Sequence, residues 1–230
     1  MAATGKGLML PLSCADIVDH QDRLRPPADH LQAWDRDYAR RGRIWGGSVK
    51  DLPQLAAGSL VLEIGSGDGK SLSMMPASWR IAAIDISMQA LLLASRAGTD
   101  AALMRADGCR LPLKSERFDA ALAFHVAGHL LRDQRLALAK EAARVLRPGG
   151  RLFFRDFSRE DMRMGQGEEV EEATFRRGSG IITHYFNQGE VAAMFSGLKI
   201  SGIRTHSWKM RIRGAEMVRS EIEAVLVKDE

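Results

Sequence analysis

Three acidic residues stand where chemistry could be done. Glu63, Asp85 and Asp107 each close a short apolar run, and Gly65-Ser66-Gly67-Asp68-Gly69 follows directly on the first. Glycines in that alternation allow backbone angles that a Cβ forbids and let a ligand approach the main chain closely. The spacing is not that of a phosphate cradle. Gly65-x-Gly67-x-Gly69 is one residue shorter than G-x-G-x-x-G, and Gly69-Lys70-Ser71 has no glycine at the distance a P-loop requires. A carboxylate just before the turn suits a cationic or hydroxyl-bearing ligand better than an anion. Asp85, 22 residues beyond Glu63, can accept hydrogen bonds from a pair of sugar hydroxyls, or can cap the helix that starts at Met88. Asp107 can accept from an exocyclic amino group, or can serve only the Asp107-Gly108 turn.

Other reactive side chains are more scattered. His125 and His129 lie four apart after an apolar run ending at Phe124, and no third ligand accompanies them, so a metal centre is not expected. His125 can form a pocket wall. Asp156 ends a further strand and can orient or deprotonate an acceptor, or cap a turn. Arg155 and Arg177 can hold phosphates, or can pair with Asp156 and the acidic run Glu168–Glu172. Cys14 and Cys109 have no metal-ligand spacing, and neither is placed as a nucleophile; free thiols fit a reducing, cytoplasmic setting.

The elements that must position these groups follow from pattern. Leu60–Ile64, Ile81–Asp85, Ala101–Arg105, Phe118–Phe124 and Arg151–Asp156 are short apolar runs. Helical patterns over Met88–Ala97 and Asp133–Leu146 alternate with them, the latter closed by Arg147-Pro-Gly-Gly150, and a helix is expected directly after the glycine turn, with its free N–H groups aimed at a ligand. Strands alternating with helices imply βαβ units, a doubly wound α/β architecture and a mostly parallel sheet whose ligands lie outside the strands' carboxyl ends. The acidic run reads as a solvated helix start and Val191–Phe195 as a short helix. Lys199–Met210 and Met217–Val227 read as an antiparallel C-terminal hairpin on the sheet edge, seven strands in all.

The first 50 residues read as an extension. Trp34 and Tyr38 share one helical face and, with Arg36, Arg40, Arg41, Arg43 and Trp45, suggest a lid, an RNA-facing patch, or aromatics packed on the core. Residues 51–230 read as a single domain.

The 230 residues are 45% apolar and 27% charged, enough for one sizeable core. No apolar run approaches the ~20 residues of a membrane span, and the first residues do not form a signal peptide. The net charge of +4 permits an anionic partner without requiring one.

Glu63-Ile-Gly-Ser-Gly-Asp-Gly69, Asp85, Asp107 and Arg144-Val-Leu-Arg-Pro-Gly-Gly-Arg-Leu-Phe153 together resemble the ordered landmarks of class I S-adenosylmethionine-dependent methyltransferases. The resemblance implies a Rossmann-like fold with S-adenosylmethionine as cofactor and S-adenosylhomocysteine as product. It implies cofactor contacts at Glu63, Gly65, Gly67, Gly69, Asp85, Ile86, Asp107, Gly108 and Phe124, and a structural role for the Arg144–Phe153 stretch. Trp34-Asp-x-x-Tyr38, Phe154-Arg-Asp-Phe157, Arg177-Gly-Ser-Gly180 and Tyr185-Phe186 are similar to the tRNA 3-methylcytidine methyltransferase family. That likeness implies a tRNA base as acceptor, with Trp34, Tyr38, Arg155 and Arg177 toward the substrate and Asp156 at the reaction; His125 is a catalytic candidate from its own place, at the end of the fourth strand beside the cofactor's reactive end. Ser179, Ile181 and the His125–His129 stretch depart from the family pattern where a substrate would be read. A small-molecule acceptor, of quinone or metabolite type, is the alternative, and a non-catalytic cofactor-binding partner subunit is the third.

Overall fold

The computed structural model describes residues 28–42 and 52–230. Cys14, Arg43 and Trp45 lie outside them. Helix α1 covers Ala28–Arg41. There follow β1 Leu60–Ile64, β2 Arg80–Asp85, α2 Met88–Ala94, β3 Ala102–Arg105, β4 Phe118–Phe124, α3 Arg132–Val145 and β5 Leu146–Phe157. The C-terminal third holds β6 Glu168–Glu171, β7 Thr174–Arg176, β8 Ile182–His184, α4 Gln188–Met194, β9 Lys199–Ile212 and β10 Ala215–Val227.

The main sheet has seven strands in the order β3-β2-β1-β4-β5-β10-β9. The first five run parallel, and β10 enters antiparallel between β5 and β9. The parallel strands are apolar on both faces because both are covered. Leu62, Ile64, Phe118 and Phe154 meet Leu138, Ala142 and Val145 of α3 and Val191 and Met194 of α4 on one face. Val61, Ala83, Ala120 and Leu122 meet Leu72, Trp79 and Ala94 on the other. Asp119 fastens the amino ends of the central strands: it accepts from the Leu60 N–H at 2.6 Å and pairs with Arg147 at 2.7 Å. Arg144 braces the loop before β4 through the carbonyls of Leu111 and Leu113 and through Glu141.

Two expectations are corrected. Only a single 3-10 turn, Leu72–Met74, follows the glycine turn where a helix was expected. Pro76 is the reason: it disfavours helical angles at the residue before it, and Met75 is extended at φ −70°, ψ 138°. The ligand-facing end of β1 therefore has no helix dipole behind it. The acidic run Glu168–Glu172 is no helix start either. Glu168–Glu171 forms β6, the edge of a separate antiparallel sheet β6-β7-β8. Local helical preference yields to pairing with β7, a tight turn with Ala173 at φ 55°, and charge partners for Glu168 and Glu171 in Arg176 and the Arg132 N–H.

Candidate functional site

The carboxyl ends of β1, β2, β4 and β5, the inner face of α1 and the β9–β10 hairpin enclose a cavity of about 600 Å³, within the usual range for small-molecule sites. Glu63, Gly65, Gly67, Asp85, Ile86, Asp107, Gly108, Phe124, His125, Trp34, Tyr38 and Arg155 all line it; among the expected site residues, Gly69, Asp156 and Arg177 do not.

At one end the glycine turn is held by β2. The N–H groups of Gly65 and Ser66 donate to the Ile84 carbonyl, and that of Gly67 donates to Asp85 Oδ2 at 2.8 Å. Asp85 Oδ1 accepts from the Ser87 N–H, while Ser87 itself caps α2 through Ala90. Asp85 is thus a brace and a cavity wall at once, and each oxygen keeps a lone pair for a ligand. Burial pushes its carboxyl up to about 6 against the opposing pull of the Ser87 and Gly67 N–H bonds, with Asp35 raising it further. Burial likewise pushes Glu63 up to about 8; the Ser71 hydroxyl bonded to it lowers the value, and Asp85 and Asp68 raise it. Asp107 makes the expected turn, accepting from the Cys109 N–H at 2.8 Å, yet also lines the cavity.

Three buried polar atoms here, Glu63 Oε2, Ser66 Oγ and Asp68 Oδ2, have no hydrogen-bond partner among the described residues. Unsatisfied polar groups are costly. Their grouping around the turn fits a ligand carrying amino and hydroxyl donors.

Helix α1 closes this end. Asp35 accepts from the Ser87 hydroxyl at 2.6 Å and the Gln89 N–H at 3.2 Å. Tyr38 is buried with its hydroxyl against the turn, and burial followed by Asp85, Asp68 and Asp37 raises its pKa. Trp34 lies 5.8 Å from Tyr38 and meets the His129 ring edge-on at 4.8 Å. Of the alternatives open in the sequence, these contacts are packing contacts.

The opposite end is built by cross-strand register. Phe124, Arg155, Glu223 and Arg204 form one row across β4, β5, β10 and β9. Arg155 pairs with Glu223 at 2.9 Å and lies 4.9 Å above the Phe124 ring, and Arg204 closes on Glu223 at 2.6 Å. Phe157, Glu221 and His206 form the next row, with Trp208 opposite Arg219 beyond it. Arg219 pairs with buried Asp161 at 2.7 Å and packs over both Phe157 and Trp208. Arg177 lies outside the cavity, donating to the Tyr185 hydroxyl and the Arg163 carbonyl. Neither Arg155 nor Arg177 pairs with Asp156.

His125 stands between the two ends. Its backbone is left-handed, φ 54°, unusual for a residue with a Cβ. Its ring lies 4.5 Å from Phe157, with Nδ1 3.8 Å from Asp156 Oδ1 and Nε2 3.4 Å from Glu221 Oε1. His129 faces another wall, its Nδ1 2.8 Å from the Ile182 carbonyl. Among the described residues, no three ligand-type side chains gather as a metal would require.

Sequence reasoning missed His206, Trp208, Arg219, Glu221 and Glu223. A signal existed: Arg219, Glu221 and Glu223 alternate with Ser220, Ile222 and Ala224, the period-two pattern of a strand with one polar face.

Residues 62–154 match a family model described as a methyltransferase domain. The chain contains a methyltransferase domain. It is 35% identical over 107 residues to a tRNA (carboxymethyluridine(34)-5-O)-methyltransferase of Arabidopsis thaliana, covering 46% of this chain and 26% of that protein. It is 34% identical over 119 residues to a demethylmenaquinone methyltransferase of Corynebacterium urealyticum, covering 50% and 49%. A tRNA N(3)-cytidine methyltransferase of Gallus gallus is 25% identical over 166 residues, covering 65% and 45%. The chain therefore spans between a quarter and a half of the length of these curated relatives. A SAM-dependent methyltransferase structure from Methanosarcina mazei superposes with a TM-score of 0.62 at 24% identity, covering 76% of this chain and 94% of that one. The seven-stranded sheet, hairpin included, thus carries the Rossmann-like fold, and the β6-β7-β8 sheet is separate from it. No helix among the described residues is long and apolar enough to cross a membrane.

Proposed function

We propose that the chain is an S-adenosylmethionine-dependent methyltransferase acting on a base of tRNA. The observation that carries the cofactor half is the ring of carboxylates around the glycine turn, with Glu63 Oε2, Ser66 Oγ and Asp68 Oδ2 buried and without a hydrogen-bond partner among the described residues. Bound there, the cofactor supplies an electrophilic methyl group on a sulfonium that departs as a neutral thioether. Glu63 would face its cationic amine, Asp85 would accept from the ribose hydroxyls, and Asp107 would accept from the adenine amino group. Ile86, Gly108 and Phe124 would provide apolar surface, and α1 would exclude water with Trp34 and Tyr38. The protein's work is alignment and desolvation of the two reactants.

The cofactor assignment has a pH consequence. Burial pushes Glu63 up to about 8, above its ordinary value, so the folded state keeps a proton that the unfolded chain has released. That contribution to stability is complete below the unfolded value and is lost as pH rises toward 8. A ligand amine requires the ionised carboxylate. The affinity for S-adenosylhomocysteine is therefore expected to rise between pH 6 and pH 8, by up to about tenfold per unit, with proton release on binding. Calorimetry in buffers of different ionisation enthalpy measures both; Glu63→Gln should flatten the profile, and a flat wild-type profile would place the amine elsewhere.

A tRNA acceptor is supported by the tRNA methyltransferases among the relatives and by cations on the hairpin. Of Lys199, Arg204, Lys209, Arg211 and Arg213, Arg204 pairs with Glu223 and Lys209 with Glu216. Arg211 and Arg213 are exposed and make no ion pair among the described residues, close to exposed Met210 and Met217. With tRNA bound, the logarithmic salt dependence should have a slope of roughly −0.7 to −0.9 per neutralised phosphate. Replacing Arg211 and Arg213 by Ser should flatten it while leaving cofactor affinity alone.

A small-molecule acceptor is the second reading, favoured by the aromatic and charged wall that encloses the acceptor end and by the neutralised Arg204 and Lys209. Labelled cofactor incubated with total tRNA and, separately, with a small-metabolite extract decides between them. S-adenosylhomocysteine binding without label in either pool would point to a cofactor-binding partner subunit.

A further inference from the structure

Resting on the methyltransferase reading, we infer that His125 is the proton acceptor of the reaction, positioned by Asp156, and that the methylated atom of the acceptor is a hydroxyl oxygen or an N–H nitrogen that loses its hydrogen.

Asp156 is not a surface acid. It is 1% exposed, beneath the cavity wall. Its oxygens accept from the Gly128 N–H at 2.7 Å and the Phe157 N–H at 3.0 Å, so the carboxylate is fixed in one orientation. Gly128 is required for this: a Cβ there would lie 2.6 Å from Asp156 Oδ1. Burial pushes the Asp156 carboxyl up, but His125, His129 and the Gly128 N–H together outweigh it and hold the group below the ordinary carboxylate range, as an anion. Too deep to touch a substrate, Asp156 acts through the ring in front of it.

That ring is accessible. His125 is 33% exposed in the cavity wall, held at a left-handed turn and against Phe157. The 3.8 Å separation from Asp156 is an ion-pair distance and not a direct hydrogen bond. Each ring nitrogen faces a carboxylate, Nδ1 Asp156 at 3.8 Å and Nε2 Glu221 at 3.4 Å. With the hydrogen assigned to Nδ1, on the side of buried Asp156, Nε2 on the side of Glu221 is the nitrogen that takes a proton. The charged groups around the ring are Asp156 of β5 and Glu221 of β10, with Arg155, Glu223 and Arg219 further along the same wall; Arg155 and Arg219 are each committed to a carboxylate.

The balance is simple. As the acceptor atom forms its bond to the methyl carbon, the carbon–sulfur pair leaves with sulfur, the acceptor's X–H pair stays on X, and its proton goes to His125 Nε2 and then by way of Glu221 to water. A carboxylate-backed histidine would have no such task at an atom without hydrogen, such as N3 of neutral cytosine or a carboxylate oxygen.

The test uses the intact protein with labelled cofactor and the two pools above, the labelled product being digested and its methylated atom identified. S-adenosylhomocysteine affinity is measured on every variant. Label on an atom that bore hydrogen is expected, with the rate reduced roughly 100-fold or more in His125→Gln while S-adenosylhomocysteine still binds. Asp156→Asn should lower kcat with little change in KM and displace the acid limb of the pH–rate profile, a change that a merely structural role would not produce. Glu221→Gln, which leaves Asp156 and its buried contacts intact, should move the same limb if Asp156→Asn fails to fold. Label on an atom that carried no hydrogen, or a His125→Gln rate close to wild type, overturns the inference. Failure to bind S-adenosylhomocysteine, or absence of label in both pools, removes the methyltransferase reading itself and the inference with it.

Discussion

Gly67→Val is expected to abolish S-adenosylhomocysteine binding while the far-ultraviolet circular dichroism stays near that of the wild type. Gly67 sits at φ 55°, and a Cβ built on it would lie 2.7 Å from the Tyr38 hydroxyl. A β-branched residue adds two methyl groups where the cofactor must approach the backbone, and it pays roughly 1–2 kcal/mol for the left-handed conformation. The atom it meets is the far end of a side chain, so α1 can be displaced without unpairing β1 from β2 or β4. Binding and fold are thereby separable: lost binding with native dichroism supports the ligand role of the turn, whereas collapse of the dichroism would assign the turn to the scaffold. Gly67→Ala should fall between the two.

Asp85→Ala should weaken the same ligand by ~1.5–3 kcal/mol for each of two charge-assisted hydrogen bonds to the ribose hydroxyls. The substitution also leaves the Gly67 N–H without its acceptor, which loosens the turn and adds to the loss. Folding stability should change much less. The carboxyl is held at about 6 by burial, so above that pH its removal also relieves a buried charge, and Ser87 continues to cap α2. Calorimetry and thermal unfolding on one sample separate the effects. Undiminished affinity would reduce Asp85 to a structural brace.

The gathering of Glu63, the glycine turn and Asp85 at one end of the cavity was legible in the sequence because its determinants are local. Glu63, the glycines and Asp85 each sit at a strand end marked by its own apolar run, and a parallel sheet places successive strand ends side by side. The hairpin was legible for the same reason: two β-patterned runs flank Arg213-Gly214, and both residues take positive φ. The missing helix after β1 could also have been found, since Pro76 leaves too few residues for one. Glu168–Glu171 is harder. Its composition favours a solvated helix, and only a partner eight residues away, Arg176, together with the N-terminus of α3, makes it a strand.

By itself, then, the sequence determined the order of elements, the parallel core and the carboxylates at the glycine-turn end of the cavity, because these follow from apolar periodicity and from which residues tolerate a tight turn. The tertiary structure alone decided what lines the other end of the cavity. Register between β5, β10 and β9 brings Arg155 to Glu223 and Phe157 to Glu221, over sequence separations of 68 and 64 residues, and no local pattern specifies which residue on one strand stands opposite which on another. It also decided that Asp156 lies beneath His125 instead of beside a substrate. Whether a strand-end acid points into a cavity or behind it depends on the parity of the strand, and β5 turns Arg155 and Phe157 toward the cavity and Asp156 into the space beside Gly128.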